Sequence, residues 1–257
     1  MIVEYQRSGQ TRRADLGRGI SLAIPLVPGG AQPRFFSDAP ATDEPLVANG
    51  FRGEVAAGGS CNARIVHFAP HCHGTHTEGY GHLSPDARPV HDCAPSGLIP
   101  ARLVTVPDRR SSDDSGRPLI SRNQLTLDPS EEIRALVIRT LPNPEEKRHR
   151  DYTTNSEYPV LSAEAARAVV ESGIEHLLID TPSLDPSEDG GRLVVHRIFW
   201  GMAGDGREPA PERVRCTVTE MIYAPDTLAD GPGLLALGIS PLVGEATPSN
   251  PVFFPEK

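Results

Sequence analysis

The chain lacks a surplus of positive charge. Across 257 residues, Asp and Glu outnumber Lys and Arg by 34 to 25, giving a formal net charge of −9 and a pI near 5.5. Nucleic acids and anionic membrane surfaces are bound through basic patches, so neither is an expected partner; a small molecule is. The sequence also lacks an apolar run of membrane-spanning length, and Met1 to Arg18 carries charges throughout with no apolar segment of signal-peptide length. Both absences predict a soluble, cytoplasmic protein. Cys61, Cys72, Cys93 and Cys216 show no disulfide-like spacing. A chain of this length buries a sizeable core without covalent staples, which fits a reducing compartment. There is no low-complexity tract and no repeat, and nothing forces a split, so one domain is expected over residues 1–257.

What is present is concentrated. Five of the nine histidines fall between His67 and His82, with a thiol and a carboxylate among them in the run Cys72-His73-Gly74-Thr75-His76-Thr77-Glu78-Gly79-Tyr80-Gly81-His82. Imidazole, thiolate and carboxylate are the donors that borderline divalent metals accept. The glycines oppose a helix here. In an extended chain, alternation would send Cys72, His76, Glu78 and His82 to one side and His71 and His73 to the other, which ranks the latter pair behind as ligands.

Around this run the chain reads as α/β. Gly19 to Val27 and Ala63 to Phe68 read as strands, Pro28 to Asn49 as a long loop carrying Phe35 and Phe36, and Arg109 to Arg117 as an exposed loop. Ala135 to Thr140 and His176 to Asp180 are short apolar runs flanking a helix that Ser162 caps and Gly173 ends. Strand, helix and strand at this spacing form a βαβ crossover, so part of the sheet is parallel, and Asp180 lies at a strand's carboxyl end, where functional residues gather. Leu193 to Trp200 and Cys216 to Tyr223 read as strands. The second puts Glu220 on an apolar face, where a buried carboxylate needs a counter-charge, a metal or a partner such as Arg213 or Arg215, unless the strand lies at an edge with that face wet.

The Cys72–His82 run, the Asp180-Thr181-Pro182-Ser183-Leu184-Asp185 turn, His196 and Glu220 together resemble the cyclase family of metal-dependent hydrolases, which includes kynurenine formamidase and isatin hydrolase. The spacing of the family's His-x-Gly-Thr/Ala-His-x-Asp-x-Pro-x-His signature is matched without a gap. The resemblance implies a swivelling β/β/α fold, one or two divalent ions, zinc or manganese, and a homodimer or homotetramer. By position it makes Cys72, His76, Glu78, His196 and Glu220 metal ligands and His82 the general acid/base. Cys72 stands for a histidine, Glu78 for an aspartate and Tyr80 for a proline; the thiolate favours zinc.

The chemistry implied is attack of a metal-activated water on an amide, formamide, lactam or lactone carbonyl, with His82 carrying the proton. Phe35, Phe36, Tyr80 and Trp200 are candidates to line an aromatic-accepting pocket, and Arg64, Arg139 or Arg197 to hold a substrate carboxylate. A cupin-type dioxygenase would use His71, His73 and Glu78 instead, within an all-β barrel. A catalytically silent binding protein of the same fold is the third reading.

Overall fold

Ala135–Thr140 is buried at all six positions, as a strand covered on both faces must be. It lies at the middle of a nine-stranded mixed sheet in a computed structural model that describes residues 1–85, 88–107, 111–112 (backbone), 116–154 and 157–257. Numbered along the chain, the sheet's strands are β1 (Ile20–Ser21), β2 (His76–Glu78), β3 (Ile99–Val106), β4 (Ala135–Thr140), β5 (His176–Ile179), β6 (Thr217–Glu220), β7 (Gly231–Ala236), β8 (Ala246–Pro248) and β9 (Val252–Pro255). Their spatial order is β8-β2-β6-β5-β4-β3-β7-β9-β1. β3, β4, β5 and β6 run parallel, and the flanking strands pair antiparallel.

The expected βαβ unit is β4, helix α1 (Ala163–Glu171) and β5, with β4 and β5 in direct parallel pairing. The Ser162 hydroxyl accepts from the Ala165 amide, and Gly173 follows the helix at φ +79°, a conformation open to glycine. One apolar cluster packs Leu136 and Ile138 against α1 and against a second helix, α2 (Val194–Trp200). Another, on the opposite face, joins Ala135 and Val137 to Leu235 and Phe253.

Two expectations change. Leu193 to Trp200 is a helix, not a strand, because its N-terminal amides are capped from a distance: Asp185 accepts from the Val195 and His196 amides at 2.8 and 3.0 Å. The early strand shrinks to Ile20–Ser21, beyond which only Ala23 bridges to Ile222. The 63–68 segment is a strand, Arg64–His67, but it is exposed and pairs with Thr42–Pro45 outside the main sheet. The Arg109–Arg117 stretch lies largely outside the described residues; within it, Ser111 and Ser112 pair as a strand with Leu119 and Pro118. No helix among the described residues is long and apolar enough to cross a membrane.

His176, at the start of β5, bonds Thr217 through Nδ1 at 2.9 Å, and burial lowers its pKa from 6.5 to about 4. The unfolded chain therefore binds the extra proton first. Stability is full above about pH 6.5 and is lost as pH falls toward 4, by up to about 3 kcal/mol. His176→Asn should flatten that limb of the stability-against-pH curve measured by urea unfolding.

Candidate metal centre

The turn between Pro70 and Cys72 is a 3₁₀ helix, not the extended chain that strict alternation assumes. Pro70 at its first position favours the turn, and its rotation brings His71, rather than Cys72, to the cluster. This corrects the ranking of those two residues. The buried Cys72 thiol is in neither group of converging donors; burial raises its pKa, opposed by the Ser37 amide beside it. A thiol kept protonated in this way is a poor nucleophile.

Downstream, Gly74 passes at φ +71°, and the Thr75 hydroxyl accepts from the Ile24 amide and donates to the Met221 carbonyl. The chain then enters β2, where alternation holds. His76 lies opposite Glu220 and Glu78 opposite Val218, so His76, Glu78 and Glu220 share one face of the sheet. α2 delivers His196 from the other side. Its Nε2 is 2.9 Å from Glu78 Oε1 and 3.4 Å from Glu220 Oε1, and His76 Nε2 is 3.5 Å from Glu220 Oε2. His71 Nδ1 and His82 Nδ1 approach Glu78 Oε2 at 3.2 and 3.8 Å, with the two rings stacked. Two sets of donors come within metal-holding range, His76-Glu78-Glu220 and His71-Glu78-His82, and Glu78 belongs to both.

Tautomers follow from the partners. His76 Nδ1 faces the Gly74 carbonyl at 3.1 Å and His196 Nδ1 faces Asp185 Oδ2 at 2.7 Å, so each Nδ1 carries a proton as donor. In both rings it is then Nε2 that faces the carboxylate oxygens. His76 Nε2, His196 Nε2 and both oxygens of Glu78 are buried without a hydrogen bond, the close approaches lacking its alignment. Glu220 is better served: the Leu184 amide donates to its Oε1 at 2.8 Å. Burial pushes both carboxyls up, and Glu78 pushes Glu220 further, yet the surrounding imidazoles hold both below the usual carboxylate range. For His196, burial is outweighed by Glu78, Asp185 and Glu220, which raise its pKa well above the ordinary value. Acceptors facing acceptors in a dry site are stable only with protons or cations among them. The arrangement and its donor set fit one or two divalent metal ions, which His76, Glu78, His196 and Glu220 would hold, with His71 and His82 beside Glu78.

Asp185, quoted above only within a turn, is the residue whose role sequence reasoning missed. It caps α2 and fixes the His196 tautomer at once. Such partners typically carry about 10- to 100-fold of metal affinity, so Asp185→Asn should weaken metal binding by that factor, measurable by competition with a chelator dye. Asp180, by contrast, is committed elsewhere: it accepts from Thr140 and from Lys147 Nζ at 2.8 Å. Arg213 and Arg215 do not serve Glu220. Arg213 donates to the Phe199 and Ile174 carbonyls, and Arg215 to the Asp92 carbonyl.

The cluster opens into a cleft of about 470 Å³ lined by His71, Gly81, His82, Arg88, Gly244 and Glu245, with Pro85, Pro89 and Val243 as its apolar wall. The four aromatic candidates do not line it. Trp200 is fully buried with Nε1 bonded to the Cys216 carbonyl, and its ring backs His196. Phe35 packs edge-on against Tyr158, and Phe36 is exposed at φ +62°. Tyr80 packs against the helix-side core and accepts from the Arg88 amide. His73 turns away, Nε2 donating to the Ala39 carbonyl, so the His71-His73-Glu78 set of a cupin does not assemble.

Residues 15–186 match the model of a family described as Putative cyclase. No curated protein matches the chain in sequence. Among solved structures, an isatin hydrolase bound to the product analogue thioisatinate is similar at 13% identity and a TM-score of 0.63, covering 93% of each chain. Isatin hydrolase A from Ralstonia solanacearum is similar at 15% identity and 0.61, covering 92% of this chain and 91% of that one. A predicted metal-dependent hydrolase from Bacillus stearothermophilus is similar at 13% and 0.58, covering 92% and 98%. At such identities the likeness is one of fold, and with 92 to 93% of this chain covered it extends beyond the matched segment. A family model that covers most of the chain, including the whole β2 segment, decides the matter: this chain belongs to the Putative cyclase family.

Proposed function

We propose that this chain is a metal-dependent hydrolase that opens an amide, formamide, lactam or lactone bond of a small substrate. The observation that carries the reading is the buried meeting of His76 Nε2 and His196 Nε2 with Glu78 and Glu220, with no aligned hydrogen bond at His76 Nε2, His196 Nε2 or either oxygen of Glu78. His71 completes the donor set in place of Cys72. The solved relatives described as isatin hydrolase and metal-dependent hydrolase support the reaction class. Zinc and manganese both suit two or three imidazoles with two carboxylates.

A bound divalent ion would supply a water deprotonated near neutral pH and a polarising centre for the carbonyl oxygen. The protein's own part is to hold and move protons. His82, on the 3₁₀ turn Tyr80–His82, reaches both the cleft and Glu78. Burial lowers its pKa against the pull of Glu78, aided by the charges of His71 and His196. A neutral His82 ring can take a proton from the attacking water and return it to the leaving nitrogen or oxygen. Asp185 holds His196 in one tautomer throughout. The reading also includes action in the cytoplasm as a homodimer or homotetramer on a small-molecule substrate.

The test is hydrolysis of a formamide, lactam and lactone panel by protein stripped with chelator and reloaded with Zn or Mn. Turnover restored by reloading supports the reading. A fully loaded protein inert on the whole panel, or activity untouched by stripping, contradicts it.

A further inference from the structure

The cleft that leads to the cluster is preorganised. The Gly79 amide donates to the Glu245 carbonyl and the Val90 amide to the Gly244 carbonyl, both at 2.9 Å, and His91 Nδ1 donates to the Leu242 carbonyl at 3.1 Å. These bonds tie Gly79, Val90 and His91 to the 242–245 segment on the other side of the cleft. Pro85 and Pro89 stiffen the first wall on either side of Arg88. The Arg88 backbone is pinned by its amide, which donates to the Tyr80 hydroxyl oxygen at 3.1 Å.

The Arg88 side chain is placed differently from the other arginines considered for substrate binding. Arg64 donates to Asp43 at 2.7 Å on the exposed hairpin. Arg139 is used up by Thr105, the Pro225 and Leu228 carbonyls and Asp230. Arg197 serves the Arg192 and Gly206 carbonyls. Arg88 lines the cleft and, among the described residues, its guanidinium has no carboxylate partner; Glu245 across the cleft leans toward His71 Nε2 at 3.5 Å instead. What sets Arg88 apart is its place: it is a cation on the wall of the cleft that leads to His71 and His82, beside a cluster that already holds Glu78 and Glu220. A neutral substrate would have no use for it. Apart from the His71 and His82 imidazoles, the apolar part of the described lining is aliphatic, with Pro85, Pro89 and Val243.

We infer that Arg88 is a specificity-determining residue that binds a carboxylate on the substrate, so that the preferred substrate class is a small aliphatic amide or ester bearing a carboxylate away from the scissile carbonyl. The inference rests on the cleft being the substrate entrance of the proposed hydrolase. A guanidinium recognises a carboxylate through two parallel N–H donors, and one such charge-assisted contact is worth about ten- to a hundredfold in discrimination. Lysine offers only a point charge.

The experiment compares N-formylleucine with the matched neutral amide, N-formylleucinamide, on metal-loaded wild type, Arg88→Ala and Arg88→Lys, with metal content measured in each. Affinity is read by calorimetry and kcat/KM by release of formate. The acid-over-amide preference of the wild type should fall about ten- to a hundredfold in Arg88→Ala, chiefly through Kd and KM, and recover in part in Arg88→Lys. Selective binding of the acid that Arg88→Ala abolishes, with no formate released, upholds the role of Arg88 and counts against the hydrolase reading alone. A preference unchanged by Arg88→Ala, a wild type without preference, or no binding of either compound overturns the inference.

Discussion

Glu78→Gln should abolish metal retention and, with it, reduce turnover by a factor of at least about a thousand. The size of the effect comes from position. Glu78 is fully buried and is the one residue common to both donor sets, with His71, His82 and His196 all directed at its two oxygens. Glutamine keeps the volume and removes the charge, so loss of metal would reflect ligation and not a cavity. Binding and stability are linked here. At a free-metal concentration of about 1,000 times Kd, the folded wild type gains about 4 kcal/mol, and the variant should lose most of that increment. Elemental analysis after desalting and urea unfolding with and without chelator measure both. A variant that keeps stoichiometric metal and its metal-dependent stabilisation would remove Glu78 from the site.

The second large effect separates proton transfer from ligation. His82→Asn should retain the wild type's metal content while kcat falls by about a hundred- to ten-thousandfold, the range of a positioned acid/base. The geometry makes the outcome informative, because His82 is also near enough to Glu78 to belong to the second donor set. Both stacked rings line the cleft, but His82 Nδ1 stands 3.8 Å from Glu78 where that of His71 stands 3.2 Å. Loss of one equivalent of metal together with turnover would instead make His82 a ligand. Single-turnover kinetics and elemental analysis on the same preparation distinguish the two.

Much of this site was legible before the fold was known, and the exceptions have physical causes. Period-two alternation put His76 and Glu78 on one face, and the strand reading put Glu220 on a buried face, as the regular strands β2 and β6 in their common register have them. The α1 crossover was equally readable: its cap, its end and the two flanking strands are all encoded locally. The Cys72 expectation failed because alternation was carried back across Pro70 into a 3₁₀ turn, where side chains advance by about a third of a circle per residue instead of half. The sequence of α2, rich in β-branched and aromatic residues, reads as a strand by propensity. What makes it a helix is Asp185 reaching its first amides from ten residues upstream, supported by Asp189 holding the Gly191, Arg192 and Leu193 amides. Once helical, the segment places Trp200 one turn beyond His196, in the core and away from the cleft. The aromatic candidates were judged by hydrophobicity alone, which cannot tell a pocket wall from a packed core.

Anomalous diffraction from crystals of the metal-loaded protein, recorded at the absorption edge of the added zinc or manganese, addresses the central proposition without reference to any substrate. The account predicts a peak enclosed by His76, Glu78, His196 and Glu220, with any second peak on the His71 side of Glu78. Fully occupied metal found only elsewhere, with protons or water alone among those four side chains, would contradict it.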